Sequence, residues 1–464
     1  MTESLLKRID DLVWGIPLIV MILVVGVFLT IRLRGLQVRY LSLAVRNLAA
    51  KEEGEKEGEV TPFASLCTAL SATIGTGNIV GVATALVAGG PGALFWMVVA
   101  AIVGTATKYS ECLLAVRYRT VAKDGHIVGG PFYYIERGMG RNWKWLGKCF
   151  AVFGVGAGVL GIGTFTQING ITGAVNHFFD PGNQCTVNIL GREYSWSVVI
   201  SGIILTVCVA LVLIGGLQRI SGVAQVLVPF MAAMYVTATA LILVLHFREI
   251  PSALTEIVRG AFGLDAAAGG ALGAMMVAVQ KGVARGIFSN EAGLGSAPIA
   301  AAAVRTNEPA AQGLVSMLGT IIDTVIICTM TGLAIIITGT WDSGLEGVAV
   351  TARAFQIGLP FQPQVSSFLL MVCLVCFAFT TILGWNYYSE KCLEYLTGGR
   401  QQILKSFRRV YIACVFFGPF MTVSAVWTIA DIFNGLMAIP NLIAIVSLSG
   451  VVVMETKQYL MWRE

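Results

Sequence analysis

Runs of about 20 apolar residues constrain the fold of this chain more than any other feature of its sequence. Such a run crosses the hydrocarbon core of a bilayer as one helix. Because lipid offers no partner for a backbone N–H or C=O, each crossing segment must pair those groups internally. The sequence therefore predicts an all-α polytopic membrane protein of eleven transmembrane helices, at roughly 13–33, 62–88, 92–114, 147–177, 195–215, 220–246, 267–304, 309–339, 364–386, 408–430 and 432–456.

Charged residues are sparse and unevenly placed. They make up 12% of the 464 residues, against about 25% in soluble domains. Lysine and arginine concentrate in the loops after the first, third and ninth runs and in the tail. The positive-inside rule then predicts a cell-membrane protein with its N-terminus outside and its C-terminus in the cytoplasm. Nucleic-acid binding is a poor alternative, because acidic residues are mixed into these short loops.

Two of the apolar runs are interrupted by polar, glycine-rich segments, at 71–81 and at 289–296. A span that opens its backbone in lipid must use the exposed groups, and transporters use them to hold an ion and a polar solute. The alternative is that glycines only let helices pack closely. That alternative suits isolated glycines such as Gly81 and Gly163 better than the paired Gly75–Gly77 and Gly293–Gly295.

The interruptions also suggest an internal repeat within one transporter domain, 1–464. The first span and its cytoplasmic linker, 13–61, stand apart, which leaves five spans in 62–246 and five in 267–456. The interrupted span comes first in each set. Since five is odd, the two sets enter the membrane from opposite sides, so we predict a 5+5 inverted repeat whose two discontinuous helices meet at the bilayer midplane.

Several other classes of function are disfavoured. The three histidines, His126, His177 and His246, lie at span ends or in loops, so no catalytic pair or proton relay is expected and the chain is not read as an enzyme. No phosphate-binding glycine loop of the ATPase type occurs, so an ion gradient must supply the energy. A channel would spread weak sites along a pore, and a receptor would append an output module, whereas only eight residues follow position 456.

Two strings resemble the signatures of the alanine/glycine:cation symporter family: Gly75-Thr-Gly-Asn-Ile-Val-Gly-Val-Ala-Thr84 and Gly286-Ile-Phe-Ser-Asn-Glu-Ala-Gly-Leu-Gly-Ser-Ala-Pro298. The resemblance covers nearly the whole chain. It implies a leucine-transporter-type fold and sodium- or proton-coupled uptake of small neutral amino acids, chiefly alanine and glycine. Some members of the family resemble glutamine transporters instead.

A zwitterionic substrate needs donors for its carboxylate and acceptors for its ammonium. Half-helix ends supply free N–H groups with partial positive charge, which predicts the carboxylate near Gly75, Thr76, Gly77 and Asn78. Carbonyls near Phe288, Ser289 and Asn290 are the expected ammonium acceptors. The family resemblance adds Gln167, Thr381 and Trp385 to the pocket, with Trp385 capping a small side chain; a tryptophan of an interfacial belt is the alternative.

Sodium prefers a shell of carbonyl and hydroxyl oxygens, as other hard cations do. The resemblance to the leucine-transporter-type fold implies a sodium site built from the carbonyls of Ser71, Ile74 and Phe377 and the hydroxyls of Thr380 and Thr381. It remains open whether Thr381 contacts cation or substrate. A second cation would use Thr73, Asn78 and Ser289, with Asp323 or Thr324 as a further ligand.

Charges inside spans cost about 2.5–3.5 kcal/mol each on insertion scales and are therefore expected to have a purpose. Arg285 and Glu291 lie in the interrupted run 267–304, and Asp323 lies in the next. We predict a structural ion pair between Arg285 and either Glu291 or Asp323, in preference to substrate contact.

Overall fold

The computed structural model describes residues 2–49, 58–122, 125–189, 192–264, 270–421 and 423–461. Residues 50–57 of the predicted cytoplasmic linker and the first residues of the run predicted from 267 lie outside these ranges.

The first span is preceded by a helix and followed by two short ones. Gly15 lies at the junction of the first two helices, and Pro17 is the second residue of the later helix. Proline is tolerated in the first turn of a helix but not in its interior, so the two helices cannot be continuous here. The four are α1 (Thr2–Val13), α2 (Ile16–Arg32), α3 (Leu36–Arg39) and α4 (Leu41–Ala49).

The second span is broken, as its glycines predict. It comprises α5 (Pro62–Thr73), a π-helical turn (Gly77–Gly81) and α6 (Val82–Gly89), with a bend of 52° between the two halves. The hydroxyl of Thr61 caps α5 by accepting the N–H of Ala64.

The next segment contains both short hairpins. Thr120 pairs with Val128 in one antiparallel hairpin and Thr186 with Ser195 in the other. The predicted run 147–177 is two helices, separated at 161–164, which accounts for its excessive length. The elements are α7 (Gly92–Arg117), β1 (Thr120–Val121), β2 (Ile127–Val128), α8 (Pro131–Tyr134), α9 (Lys144–Leu160), α10 (Phe165–Phe179), β3 (Thr186–Ile189) and β4 (Arg192–Ser195).

The second half of the chain is again helical. In its interrupted span the first helix ends at Asn290, where the sequence predicts a break, and the backbone becomes helical again only at Ala297. A further π-helical segment, Ile321–Cys328, widens the following span. The helices are α11 (Trp196–Leu213), α12 (Gly216–Leu245), α13 (Ile250–Ala261), α14 (Ala271–Asn290), α15 (Ala297–Ala301), α16 (Pro309–Thr320), α17 (Thr329–Ile337), α18 (Val348–Gly358), α19 (Pro363–Thr397), α20 (Gln401–Phe417), α21 (Val423–Ser447) and α22 (Ser449–Met461).

The predicted bounds of the last three spans are wrong. Helix α19 runs on to Thr397 and ends at Gly398 in the left-handed conformation, eleven residues beyond the predicted end at 386. The chain turns at Gly418–Phe420, so α21 begins at Val423 where the sequence analysis places the middle of a span. Hydropathy cannot detect this turn because its residues are themselves apolar, whereas Pro419 lacks the N–H that a continuing helix needs.

Nine of the described helical segments are long and apolar enough to cross a membrane, or ten if the bent pair formed by Pro62–Thr73 and Gly77–Gly89 counts as one span. The protein is therefore a multi-pass helical membrane protein. The count of eleven spans and the inverted repeat stay predictions.

Candidate functional site

The two breaks predicted from the sequence meet in the interior of the helix bundle. A methyl group added at Gly77 would lie 3.3 Å from the Cα of Ser289 and 3.3 Å from the ring of Phe288. The second break turns sharply because Glu291, Gly293 and Gly295 have φ of +56°, +87° and +81°. Glycine adopts such angles without steric cost, which explains two of these three positions.

Side-chain oxygens accept hydrogen bonds from the backbone N–H groups of the first break. The N–H of Gly75 donates to Oδ1 of Asn78 at 2.9 Å, and the N–H of Thr76 donates to Oε1 of Gln167 at 3.1 Å. Gln167 and Asn78 are fully buried. The structure thus places Gln167 beside the amides predicted to hold a carboxylate, with its own carbonyl oxygen on one of them.

A buried carboxylate joins the two breaks to the span that follows. Asp323 accepts hydrogen bonds from Nδ2 of Asn78 at 2.7 Å, from Oγ of Ser289 at 2.8 Å and from Oγ1 of Thr324 at 2.7 Å. Nδ2 of Asn290 donates to Oγ1 of Thr324 at 3.0 Å. Asn78 and Ser289, predicted for the second cation site, therefore form one connected group with Asp323 and Thr324, the two alternatives for its further ligand. The Thr73 hydroxyl donates instead to its own helix at Ala69 O, 3.3 Å away.

Four of the five ligands predicted for the first sodium site also come together, between α5 and α19. The hydroxyl of Thr381 lies 3.3 Å from the carbonyl oxygen of Ile74 and 3.0 Å from that of Phe377. The hydroxyl of Thr380 lies 2.9 Å from the same Phe377 oxygen. Ser71, whose carbonyl was predicted to take part, is buried one turn earlier on α5.

Trp385 contacts the second break. Its indole N–H donates to Oε1 of Glu291 at 2.8 Å, and Oγ of Ser296 donates to Oε2 of the same carboxylate at 2.5 Å. Trp385 and Glu291 are completely buried. Trp385 is therefore an interior residue in the middle of α19, and a role in an interfacial belt is excluded.

The predicted ion pair of Arg285 is wrong in its partner. Arg285 binds Asp431 of α21 through two hydrogen bonds of 2.8 and 3.2 Å, and its guanidinium lies over the rings of Phe288 and Trp427 at 5.4 and 5.0 Å. Glu291 and Asp323 bind the polar groups described above. The sequence analysis missed Asp431 because it placed this residue between two spans; with α21 placed at 423–447, a carboxylate inside a span would have been noticed.

The sequence analysis also missed Asn441, which supports the loop of the second break. Nδ2 of Asn441 donates to the carbonyl oxygen of Gly293 at 2.8 Å and to Oε2 of Glu111 at 2.9 Å, and the hydroxyl of Tyr134 donates to Oδ1 of Asn441. Lys108 lies 3.8 Å from Oε1 of Glu111. These buried groups fix the turn after Glu291.

An open cavity of about 630 Å³ lies next to the site. Its walls include Arg285 and Trp427, together with Asn169 and Gly170 of α10 and Glu346 of the loop before α18. Since Arg285 and Trp427 also contact Phe288, this cavity ends against the same residues that border the second break.

The model of the sodium:alanine symporter family matches residues 1–464. The chain belongs to that family. A member of this family is a membrane transporter that moves its solute together with an ion, and not an enzyme, so the buried polar groups described above belong to a transport protein.

Named relatives agree with this assignment. The chain is 51% identical to an uncharacterized transporter of Haemophilus influenzae, over 98% of this chain and 96% of that protein. It is 43% identical to the sodium/alanine symporter AgcS of Methanococcus maripaludis, over 98% and 97% of the two chains. It is 36% identical to the probable sodium/glutamine symporter GlnT of Bacillus subtilis, over 98% and 90%.

A solved structure shows the fold. The crystal structure of MhsT in complex with L-phenylalanine matches 87% of this chain and 93% of that chain with a TM-score of 0.60 at 14% sequence identity. The family and the transporter fold expected from the two glycine-rich strings are thus confirmed. The roles of the individual site residues stay predictions.

Proposed function

We propose that this protein is a sodium-coupled symporter that takes up small neutral amino acids, alanine and glycine first among them, by alternating access. The observation that supports this most is the meeting of the two breaks, at Gly77 and Ser289, around wholly buried polar groups. An open backbone at that place offers donors and acceptors to one zwitterion in an otherwise apolar interior. The name of AgcS supplies the choice of sodium and alanine.

The substrate carboxylate binds at the first break. The amides of Gly75 and Thr76 already hold the oxygens of Asn78 and Gln167, which shows that both point at an acceptor. A carboxylate is a stronger acceptor than a side-chain amide, so it displaces these oxygens. Gly77 completes this side of the site.

The substrate ammonium binds at the end of α14. The last carbonyls of a helix lack partners further along the chain, and at this end they belong to Phe288, Ser289 and Asn290. A helix C-terminus also carries partial negative charge, which favours a cation. Trp385, held by Glu291, closes the site beyond the break and limits the size of the substrate side chain.

Sodium binds among the oxygens between α5 and α19. Ile74 O, Phe377 O, Thr380 Oγ1 and Thr381 Oγ1 lie within hydrogen-bond distance of one another in pairs. Both threonine hydroxyls can rotate their protons away and present lone pairs to a cation. Sodium at this place ties the broken helix to α19, so binding of the ion and the shape of the substrate site are linked.

Entry of the ion supplies the energy. One positive charge moving down about 100 mV yields roughly 2.3 kcal/mol, which supports a solute gradient of roughly fiftyfold. In this proposal the two interrupted spans and their partners rock against the remaining helices, as in other inverted-repeat transporters, in a cell membrane with the N-terminus outside.

A glutamine symporter is the second candidate, because GlnT is 36% identical to this chain. The higher identity to AgcS, 43%, and the buried indole of Trp385 at the break favour the smaller substrate.

Uptake of labelled alanine into proteoliposomes tests the proposal. We expect accumulation under an inward sodium gradient, competition by unlabelled glycine, and no accumulation when choline replaces sodium. Accumulation under a proton gradient alone would refute sodium coupling. Accumulation of glutamine but not of alanine would refute the substrate assignment.

A further inference from the structure

Asn434 of α21 is a buried side chain beside the site whose polar atoms have no hydrogen-bond partner among the described residues. It is 0% exposed, and within the described residues neither its Nδ2 nor its Oδ1 has a partner. Leaving a buried polar atom unpaired costs about 1–3 kcal/mol, and here both ends of one carboxamide are unpaired. Such a group normally has a ligand or a water molecule as its partner.

The neighbours of Asn434 along α21 show which way it faces. Trp427 packs its ring on Phe288 at 5.1 Å, Asp431 binds Arg285, and Asn441 donates to the carbonyl oxygen of Gly293. At 100° per residue these three side chains and Asn434 fall within one arc of about 80° on the helix. All three neighbours contact α14 or the loop after it, so Asn434 faces the second break.

The position of Asn434 along the axis of α21 gives its depth in the bundle. A helix rises about 1.5 Å per residue, so Asn434 lies about 4.5 Å beyond Asp431 and about 10 Å before Asn441. Those two residues bind Arg285 and Gly293, which bracket Ser289, Asn290 and Glu291 in the sequence. Asn434 therefore lies at the level of the break itself.

The faces of α21 on either side of this arc pack against other helices. Added methyl groups at Gly156 and Gly161 of the α9 region would collide with Phe433 and Ala430, and one at Gly435 would collide with Val13 of α1. Helix α21 is thus held between α9 and α1, and these contacts set the direction of its polar face.

We propose that Asn434 forms a polar subsite for the side chain of the transported amino acid. This rests on the proposed function, which pairs the substrate carboxylate and ammonium with the two broken helices. Asn434 belongs to neither break, so the part of the substrate left for it is the side chain. A carboxamide offers two donors and an acceptor, which suits the hydroxyl of serine; with alanine, a water molecule takes that place.

The subsite sets substrate range. A hydroxylated substrate replaces the water with a direct hydrogen bond, so the wild-type protein accepts serine about as well as alanine. An apolar residue at position 434 would leave the serine hydroxyl unpaired, and a net hydrogen bond is worth about 0.5–1.5 kcal/mol. The preference for alanine over serine should then rise roughly twofold to thirteenfold.

Competition for sodium-driven uptake of labelled alanine in proteoliposomes tests this. The concentrations of unlabelled glycine, alanine and serine that halve uptake are measured for the wild type, Asn434→Leu and Asn434→Ala. Leucine matches asparagine in size, and alanine serves if the leucine variant does not fold. Ser366→Ala is the matched control. Like Asn434, Ser366 is a buried polar side chain without a partner among the described residues, and it lies about 16 Å along α19 from Phe377.

The subsite is supported if the half-inhibiting concentration of serine, divided by that of alanine, rises at least twofold in the Asn434 variants. The corresponding ratio for glycine, and both ratios in Ser366→Ala, should stay unchanged. A ratio that stays within twofold of the wild type overturns it. Equal weakening of all three amino acids also overturns it, since Asn434 would then contact the groups they share. A wild type without sodium-driven alanine uptake refutes the proposed function and the subsite together, whereas the other negative outcomes refute the subsite alone.

Discussion

Replacement of Gly75 by alanine should disable the site while leaving the fold intact. A Cβ at this position would lie 2.5 Å from the hydroxyl of Thr381 and 3.0 Å from Oε1 of Gln167. Thr381 belongs to the proposed sodium shell and Gln167 to the proposed carboxylate site. One methyl group therefore perturbs both ligands.

The size of the effect follows from these distances. Ordinary contact begins near 3.4 Å, so the Thr381 hydroxyl must move by about 0.9 Å. That hydroxyl lies only 3.0 and 3.3 Å from the Phe377 and Ile74 carbonyl oxygens, so the shift opens the oxygen cluster. Overpacking in a buried site costs about 1–3 kcal/mol, which corresponds to a rise of roughly fivefold to 150-fold in the sodium concentration for half-maximal uptake.

Two further glycines of the same broken helix make a graded series. A methyl group at Gly77 would meet Phe288 and Ser289 at 3.3 Å, and one at Gly81 would meet only Arg285, at 4.0 Å. Sodium-dependent alanine uptake in proteoliposomes should therefore be highest for Gly81→Ala, lower for Gly77→Ala and lowest for Gly75→Ala. Protein recovery by size-exclusion chromatography should be equal for the three variants. A Gly75→Ala protein with the sodium dependence of Gly81→Ala would refute the placement of the cation.

Three other outcomes are expected. Thr380→Val removes one oxygen from the proposed shell and should raise the half-maximal sodium concentration without changing protein recovery; an unchanged sodium titration would exclude Thr380 as a ligand. Asp431→Asn leaves Arg285 charged and poorly paired, so it should destabilise the protein by about 3–5 kcal/mol and lower its melting temperature. Adding Arg285→Met should partly restore the melting temperature. A double variant no more stable than Asp431→Asn would argue against the pair. Burial alone would raise the pKa of the Glu136 carboxyl, yet hydrogen bonds from Lys144 and a tyrosine lower it overall. The stability that this carboxylate adds is therefore fully present above its unfolded pKa of about 4.3. That stability is lost as the pH falls through the lower folded pKa. The melting temperature of Glu136→Gln should accordingly lie below that of the wild type at pH 7, and the difference should shrink as the pH falls below about 4.3. A difference independent of pH would contradict this.

The helical membrane fold and the two breaks could be read from the sequence because each depends on local chemistry. A long apolar run must be helical in lipid, and Gly75–Gly77 and Gly293–Gly295 interrupt such runs whatever surrounds them. The turn at Gly418–Phe420 escaped notice because it lies between two apolar stretches with no change in hydropathy. That single error displaced α21 and removed Asp431 from the charges considered to lie in a span.

Pairing between distant residues was decided only in three dimensions. Arg285, Glu291 and Asp323 are all charges within spans, and their order in the sequence does not show that Arg285 binds Asp431 while Asp323 binds Asn78 and Ser289. Electrostatic attraction acts through space, so the partner depends on which helices pack together and at what depth. The sequence by itself determined where the backbone opens; packing of α19 and α21 against those openings determined which side chains meet there, because each helix presents only one face to the site.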